Sequence, residues 1–324
     1  MPSPVFTLLV VADPAAPFLK GLKRLPEDVQ ALVSDDESEL RKLSPQADAI
    51  LYAYHRGSLF SAILPLANRA GWIHSLWTGV EGILVPELLA HPACLTNGRG
   101  VFRWPLADWT IAAMLYFAFD LRRIVSQQEQ GVWSLVHGTS LNGRTLGIVG
   151  FGAIGSAAAE RAKVFGMKIA ALRRRPELST SNGLVDAVYS PKQLPELMGA
   201  SDYILAAAPL TPETTGMIGE KEIAAMKRTA VIMNVGRGQV IDEQALIRAL
   251  ESNRIRGAAL DVFAVEPLPA DHPFWRMSNV LLSPHTADRV DGFLDPAFDC
   301  FFENLNRFRK GEALVNVVDK HAGY

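Results

Sequence analysis

Short apolar runs alternating with stretches of helical composition set the plan of this chain. Val5–Ala12, Ala31–Ser34, Ala49–Ala53, Trp72–Leu76 and Cys94–Asn97 read as strands, and helices are expected at Ala15–Leu25, Leu59–Ala70 and near Pro86–Ala90. Such alternation predicts a small parallel α/β domain. The stretch Leu106–Leu121 is apolar nearly all round, which predicts a helix buried between domains or between subunits. The alternation resumes with Leu146–Val149, Lys168–Leu172, Val185–Val188, Tyr203–Ala208, Ala230–Val235, Gly257–Val262 and Val280–Leu282, about seven strands of a doubly wound sheet. Phe298–Arg309 closes the pattern as an amphipathic helix.

The most organised stretch is TLGIVGFGAIGSAAAERAKVFGMKIAALRRRP, Thr145 to Pro176. A strand runs into Gly150, Gly152 and Gly155, an alanine-rich helix follows from Ala153 to Phe165, and Gly166 stops it before a second strand. A dinucleotide needs this order: one glycine for the sharp turn, one for close approach of backbone to pyrophosphate, one for tight packing of helix on strand. The helix N-terminus then presents unpaired N–H groups and a positive dipole end to the phosphates. With 25 glycines in 324 residues, chance alone gives about 0.15 such triplets per chain, so the flanking elements carry the reading. About 20 residues further on, where a carboxylate would hold the ribose hydroxyls, the chain instead has Arg173, Arg174 and Arg175.

Composition narrows the classes. With 49% hydrophobic residues the chain can bury a sizeable core, and its length suggests two domains. A formal charge of −2, without a longer basic tract, argues against nucleic acid as partner. Cys94 and Cys300 stand far apart, without disulfide or metal-ligand spacing, so free thiols in a reducing cytoplasm and no metal site are expected. The opening MPSPVFTLLVVADP lacks the basic flank of a signal peptide, and no run approaches membrane-spanning length.

In open α/β sheets ligands bind beyond the carboxyl ends of the strands. Arg237 lies between two glycines after Ala230–Val235, Asp261 and Glu266 follow Gly257–Val262, and His285 follows Val280–Leu282. A guanidinium, two carboxylates and an imidazole thus converge on the edge that carries the glycine turn. Alone, Arg237 could be a solvated turn residue and His285 a satisfied loop histidine; Asp261 in an apolar strand needs a partner, since an unpaired buried carboxylate is costly.

The stretches VGFGAIG with FGMKI, PLTPETTGMI, NVGRGQVIDEQAL, ALDVFAVEPLP and HPFWRMSNVLLSPHTA, in this order, resemble the D-isomer-specific 2-hydroxyacid dehydrogenase family over nearly the whole chain, most specifically from Trp109 to His285. The resemblance implies two doubly wound parallel-sheet domains: a Rossmann cofactor domain over 105–289 and a discontinuous flavodoxin-like substrate domain over 1–104 and 290–324. It implies catalytic roles for Arg237, Glu266 and His285, substrate-carboxylate donors at Gly79 and Val80 of the loop WTGVEG together with Arg237, and closure of a cleft around the ligands. Cofactor contacts would come from Gly150, Gly152, Ala153, Ile154, Gly155, Arg173, Arg174, Pro209, Thr214, Val235 and Asp261, the last near the nicotinamide carboxamide. A homodimer is implied as well.

The alignment places Arg173 where an NAD-preferring member carries aspartate. Arg173 or Arg174 would meet a 2′-phosphate, and hydrogen bonds to charged groups contribute about 1.5 to 3 kcal/mol each, so NADP(H) is expected over NAD(H). The segment RGVFRWPLADWTIAAML looks like the glyoxylate and hydroxypyruvate reductase branch, with Trp77, Trp104 and Arg289 as residues that could shape the substrate pocket. Two other readings stay open: a dinucleotide-sensing, corepressor-like binding protein, and phosphite or formate oxidation on the same scaffold.

Overall fold

The structure, a computed structural model, describes residues 5–54, 57–174 and 183–323. It divides into two units, one built from Met1–Phe102 with Asp291–Tyr324 and the other from Arg103–Val290.

In the first unit the apolar runs form β1 (Phe6–Val11), β2 (Val29–Ser34), β3 (Ala49–Tyr52), β4 (Trp72–Ser75) and β5 (Cys94–Thr96). They make one parallel sheet in the order β2-β1-β3-β4-β5, the flavodoxin-like arrangement. Leu9, Val11, Ile50, Tyr52 and Ile73 join one core with Phe60 of the helix Gly57–Ile63, whose ring stacks on Tyr52 at 3.8 Å. The helix Asp295–Arg309 returns to this unit, where Phe301 stacks on Trp72 at 5.5 Å.

Two expected helices differ here. Ala15–Leu25 is a 3-10 helix, Pro17–Arg24, without a buried residue, so no core contact favours a full α-helix. The helix expected over Leu59–Ala70 ends at Ile63, because Pro65 cannot donate the next backbone hydrogen bond, and a 3-10 turn Leu64–Leu66 follows. The helix Glu37–Leu43, which hydrophobic pattern alone does not reveal, is capped by the Asp36 side chain accepting from Glu39 N at 2.8 Å.

The second unit holds β6 (Thr145–Val149), β7 (Lys168–Leu172), β8 (Ala187–Tyr189), β9 (Tyr203–Ala206), β10 (Val231–Asn234), β11 (Gly257–Leu260) and β12 (Val280–Leu282). All pair in parallel, in the order β12-β11-β10-β9-β6-β7-β8, a Rossmann sheet extended by one strand. The chain reverses direction across the sheet between β6 and β9, and that switch point is where such folds open a ligand crevice. The apolar helix is Arg103–Ala118, shifted about one turn toward the N-terminus of its expected span, and it packs on the helix Ala153–Val164. Arg161 fastens the pair: its Nε donates to Asp108 Oδ1 at 2.8 Å, and its guanidinium covers the Trp104 ring at 4.6 Å. Trp104 is thereby a packing residue of this helix pair.

Candidate active site

The glycine turn shows three different constraints. Gly150, directly after β6, has φ +97°, and a Cβ there would stand 2.5 Å from Ala208 N. At Gly155 a Cβ would meet the Gly150 carbonyl oxygen at 2.7 Å, the close packing of helix on strand. Gly152 is the reverse case, since nothing lies within 4 Å of a Cβ built on it. Its backbone faces open space at the N-terminus of the helix Ala153–Val164, where no side chain caps the first N–H groups, those of Ala153, Ile154 and Gly155. An open approach with unpaired donors fits a pyrophosphate.

Past β9, Pro209 and Thr214 belong to one loop: Thr214 Oγ1 donates to the Pro209 carbonyl at 2.6 Å and accepts from Thr211 N at 2.8 Å. Val235 is buried, its N–H donating to Ala206 O at 3.2 Å. At the end of β7 the Arg173 guanidinium lies over the Phe151 ring of the glycine turn at 4.7 Å. Its Nε is buried and donates to no acceptor among the described residues, an orphaned donor beside the turn. Arg174 is exposed, and its charge helps to lower the Glu213 pKa, after the hydrogen bonds from Thr211 and from the Glu213 backbone. Arg175 lies outside the described residues.

Beyond β10, β11 and β12, three adjacent strands, stand Arg237, Glu266 and His285. The sequence folds this way because backbones come unusually close: a Cβ on Gly238 would fall 1.9 Å from Phe263 C, so only glycine lets the Arg237 turn seat against the segment leading to Glu266. Asn234 clamps that turn, its Nδ2 donating to Arg237 O at 3.0 Å and its Oδ1 accepting from Gly236 N at 3.0 Å. One Arg237 donor, Nη1, bonds the Gly236 carbonyl at 2.8 Å. Asp261, 1% exposed, satisfies its burial by holding the histidine loop: its Oδ1 accepts from Ser283 Oγ at 2.6 Å, Thr286 N at 2.9 Å and Ala287 N at 3.0 Å. His285 adopts φ +52° within this loop.

His285 Nδ1 donates to Glu266 Oε2 at 2.7 Å, while Glu266 Oε1 accepts from Phe263 N at 2.9 Å. The Glu266 hydrogen bond raises the His285 pKa; burial and the Arg237 charge oppose it, and the charges of Glu266 and Asp261 assist. Burial pushes Glu266 up, but the hydrogen bonds from His285 and Phe263, with the charges of His285 and Arg237, hold it below its ordinary value. The carboxylate fixes Nδ1 as the protonated donor and leaves Nε2 to exchange a proton with a ligand. A cationic fork and an imidazole whose charged form Glu266 favours therefore stand together, a set suited to binding an anion and moving one proton.

The sequence reading missed Asn234 and Asp288. Asn234 clamps the turn through a short-range amide contact that no periodicity announces. The Asp288 carboxyl is pushed up by burial, against the opposing charges of Arg289 and His285. Its Oδ1 accepts no hydrogen bond among the described residues and faces Arg289 Nε at 3.4 Å. The signal was there in TADRV, an acid and a base directly after the histidine. Gly79 and Val80 lie in the first unit. Trp77 is fixed there by its Nε1 donating to Ala53 O at 2.9 Å.

This chain belongs to the D-isomer-specific 2-hydroxyacid dehydrogenase family: the sequence profile described as D-isomer specific 2-hydroxyacid dehydrogenase, NAD binding domain, matches residues 111–287. It is accordingly an NAD(P)-dependent oxidoreductase acting on CH–OH donors. Within the family it lies on the side of the glyoxylate reductases, as a protein of that name from Korarchaeum cryptofilum (strain OPF8) is 38% identical over 75% of this chain and 74% of its own. Among solved structures, a D-isomer specific 2-hydroxyacid dehydrogenase family protein from Aeromonas salmonicida subsp. salmonicida A449 is 31% identical with TM-score 0.85, covering 98% of this chain and 99% of that one. A D-isomer specific 2-hydroxyacid dehydrogenase from Xanthobacter autotrophicus Py2, solved in complex with NADPH and MES, is 26% identical with TM-score 0.84 over 99% of this chain and 100% of that one.

Proposed function

We propose that this protein is an NADP(H)-preferring reductase of small 2-oxo acids such as glyoxylate or hydroxypyruvate. The observation that carries the reading is the 2.7 Å contact between His285 Nδ1 and Glu266 Oε2, at the end of a strand two places from the one that leads to Arg237. When bound, the dinucleotide supplies hydride to C2 of the 2-oxo acid or takes it back from the 2-hydroxy acid. Arg237 holds the substrate carboxylate and polarises the 2-oxo group through its planar fork of donors, fixing C2 in position. His285 gives the Nε2 proton to the alkoxide oxygen that forms during reduction and removes it during oxidation. Glu266 keeps the imidazole in the required tautomer and favours its charged form. Gly79 and Val80 add backbone donors to the substrate carboxylate, and Asp261 keeps the histidine loop in register.

Preference for NADP(H) rests on Arg173. An arginine already seated on Phe151, with a buried Nε unpaired among the described residues, is a ready partner for a 2′-phosphate. The deciding experiment is a panel of 2-oxo acids assayed with NADPH and NADH in parallel. Turnover of glyoxylate or hydroxypyruvate with higher kcat/KM for NADPH supports the reading. Tight NADPH binding without oxidation by any of them would favour a sensor, and NADP reduction by phosphite or formate would favour the third chemistry.

A homodimer fits an apolar surface on the second unit. Phe119, Leu121, Ile124, Val125, Trp133 and Leu135 are all exposed, Trp133 at 99%. Burying such a patch against a second copy would account for it. Light scattering on the wild type and on Trp133→Glu tests this: a dimer that the substitution dissociates supports it, and a monomeric wild type overturns it. A reducing, cytoplasmic setting fits the free thiols Cys94 and Cys300. Among the described residues no helix is long and apolar enough to cross a membrane.

A further inference from the structure

In the first unit, the loop Trp77–Val80 has an unusual hydrogen-bond balance. Val80 is 2% exposed and its side chain joins the core, while its carbonyl accepts from Ile83 N at 2.9 Å and Leu84 N at 3.2 Å. The N–H groups of Gly79 and Val80 donate to no acceptor among the described residues. Val80 is buried and Gly79 partly so, and two successive N–H groups left unpaired by the protein there are open to an acceptor from outside it. Where they point depends on what fixes the peptide planes before them.

A second loop, Asn97–Gly98, fixes the plane that carries the Gly79 N–H. Asn97, 4% exposed, donates from Nδ2 to Thr78 O at 2.7 Å. Thr78 Oγ1 donates to Gly98 O at 2.8 Å, and Gly98 N donates to Trp77 O at 3.1 Å. A Cβ on Gly98 would stand 2.9 Å from the Leu76 carbonyl oxygen, so the two loops are in backbone contact. Because the Thr78 carbonyl belongs to the same peptide plane as the Gly79 N–H, a bond that pins the carbonyl aims the N–H the opposite way. Asn97 is itself held from the chain's last segment: its N–H donates to Asn316 O at 3.2 Å, and Asn316 Nδ2 donates to Arg99 O at 2.9 Å.

We propose that Asn97 is a positioning residue for substrate binding, aiming the Gly79 N–H at the carboxylate of the 2-oxo acid through its bond to the Thr78 carbonyl and so setting the loop on which the Val80 N–H follows. The inference rests on reading those two N–H groups as the carboxylate donors. Asn97 touches no reacting atom; its effect passes through the loop.

Asn97→Asp isolates the contact. The aspartate keeps the shape and the acceptor that takes the Arg99 N–H at 3.2 Å, but loses the donor to Thr78. KM for glyoxylate rises about tenfold, the size of one hydrogen bond's net contribution, while the NADPH dissociation constant stays within about twofold. Ser44→Ala is the structural control, since the buried Ser44 in the same unit donates from Oγ to Leu40 O at 2.6 Å and shares no contact with the Thr78 or Asn97 loops; it lowers thermal stability and leaves that KM in place. Should Asn97→Asp fail to fold, Thr78→Val removes the neighbouring bond to Gly98 and raises the same KM. A folded Asn97→Asp, or Thr78→Val in its place, with unchanged KM for glyoxylate overturns the inference. The underlying reading is tested separately on the wild type with the carboxamide of glyoxylate: equal kcat/KM for acid and amide would remove the carboxylate grip itself. Discrimination in favour of the acid, with unchanged KM in the variant, would remove Asn97 alone.

Discussion

His285 Nδ1 and Glu266 Oε2 are 2.7 Å apart, and Asp261, through three hydrogen bonds to the segment Ser283–Ala287, holds the imidazole at that distance. In the proposed mechanism the three residues divide the work: the buried Asp261 carboxylate fixes the backbone, the Glu266 carboxylate sets the charge, and the exposed imidazole exchanges the proton. His285→Ala is expected to lower the rate of 2-oxo acid reduction by about 10²- to 10⁴-fold, the usual range for a general acid, with NADPH binding near normal. Titration of NADPH fluorescence alongside steady-state rates checks both halves. An unchanged kcat would remove His285 from the mechanism.

The pH dependence follows with a definite sign. The His285 pKa is raised, chiefly by the Glu266 hydrogen bond. In the proposed mechanism reduction needs the charged imidazole, so its rate is expected to fall as pH rises through that raised value, and oxidation of the 2-hydroxy acid to gain over the same interval. The raised His285 pKa also contributes stability that is present below its unfolded pKa and lost as pH rises through the folded one, while the lowered Glu266 pKa contributes stability lost as pH falls through its folded value. Glu266→Gln removes the carboxylate, so the break in the reduction profile moves to lower pH. A break that stays put would exclude Glu266 as the tuning group.

Cofactor preference is expected to invert by charge. Arg173→Asp with Arg174→Ala replaces a guanidinium seated on Phe151 by a carboxylate that repels a 2′-phosphate and can accept from ribose hydroxyls. The ratio of kcat/KM for NADPH to that for NADH should fall by about 10- to 150-fold, the worth of one charge-assisted hydrogen bond. If the ratio does not move, the end of β7 does not meet the phosphate.

Much of this was readable because the signals are periodic or adjacent. Buried parallel strands are unbroken apolar runs, and every strand of both sheets lies at or within a few residues of such a run. The largest shift is at β8, expected at Val185–Val188 and found at Ala187–Tyr189, an edge strand whose residues are all only partly buried, so the pattern there is weakest. Arg237, Glu266 and His285 stood out because strand ends in such sheets point at one edge. Asn97 and Asn234 did not, because a single amide that pins a loop carries no period. Their roles exist only once segments distant in sequence are adjacent, as with Asn97 and Asn316.

A different pH response belongs to the first unit. His74 on β4 is fully buried, its Nδ1 lying 2.7 Å from Thr96 Oγ1 and its Nε2 without a hydrogen-bond partner among the described residues. Burial pushes its pKa down to about 3, against 6.5 for an ordinary histidine. The unfolded chain therefore binds one more proton over that window, so this contribution is complete above about pH 6.5 and lost as pH falls toward 3. Between pH 6.5 and pH 5 the loss amounts to about 2 kcal/mol. Urea unfolding followed at both pH values, for wild type and His74→Leu, checks it: the substitution should flatten the dependence, and an equal slope in both proteins would assign it to other groups.

The glycine turn separates binding from stability. Gly150 has φ +97° and no room for a methyl group, so Gly150→Ala combines a strained backbone with a collision against Ala208 and should lower Tm by about 5 °C or more. At Gly152 the backbone is extended, with a negative φ of −93°, and a methyl group there meets nothing within 4 Å. Gly152→Ala should therefore leave Tm within about 2 °C of the wild type. The methyl group would, however, stand in the open approach to the helix N–H groups, where a pyrophosphate has to come within hydrogen-bond distance of the backbone. The NADPH dissociation constant should rise by more than about tenfold. Calorimetry of the free protein and fluorescence titration with NADPH measure the two effects independently. Unchanged affinity in a fully stable Gly152→Ala would mean that the phosphates do not approach this turn.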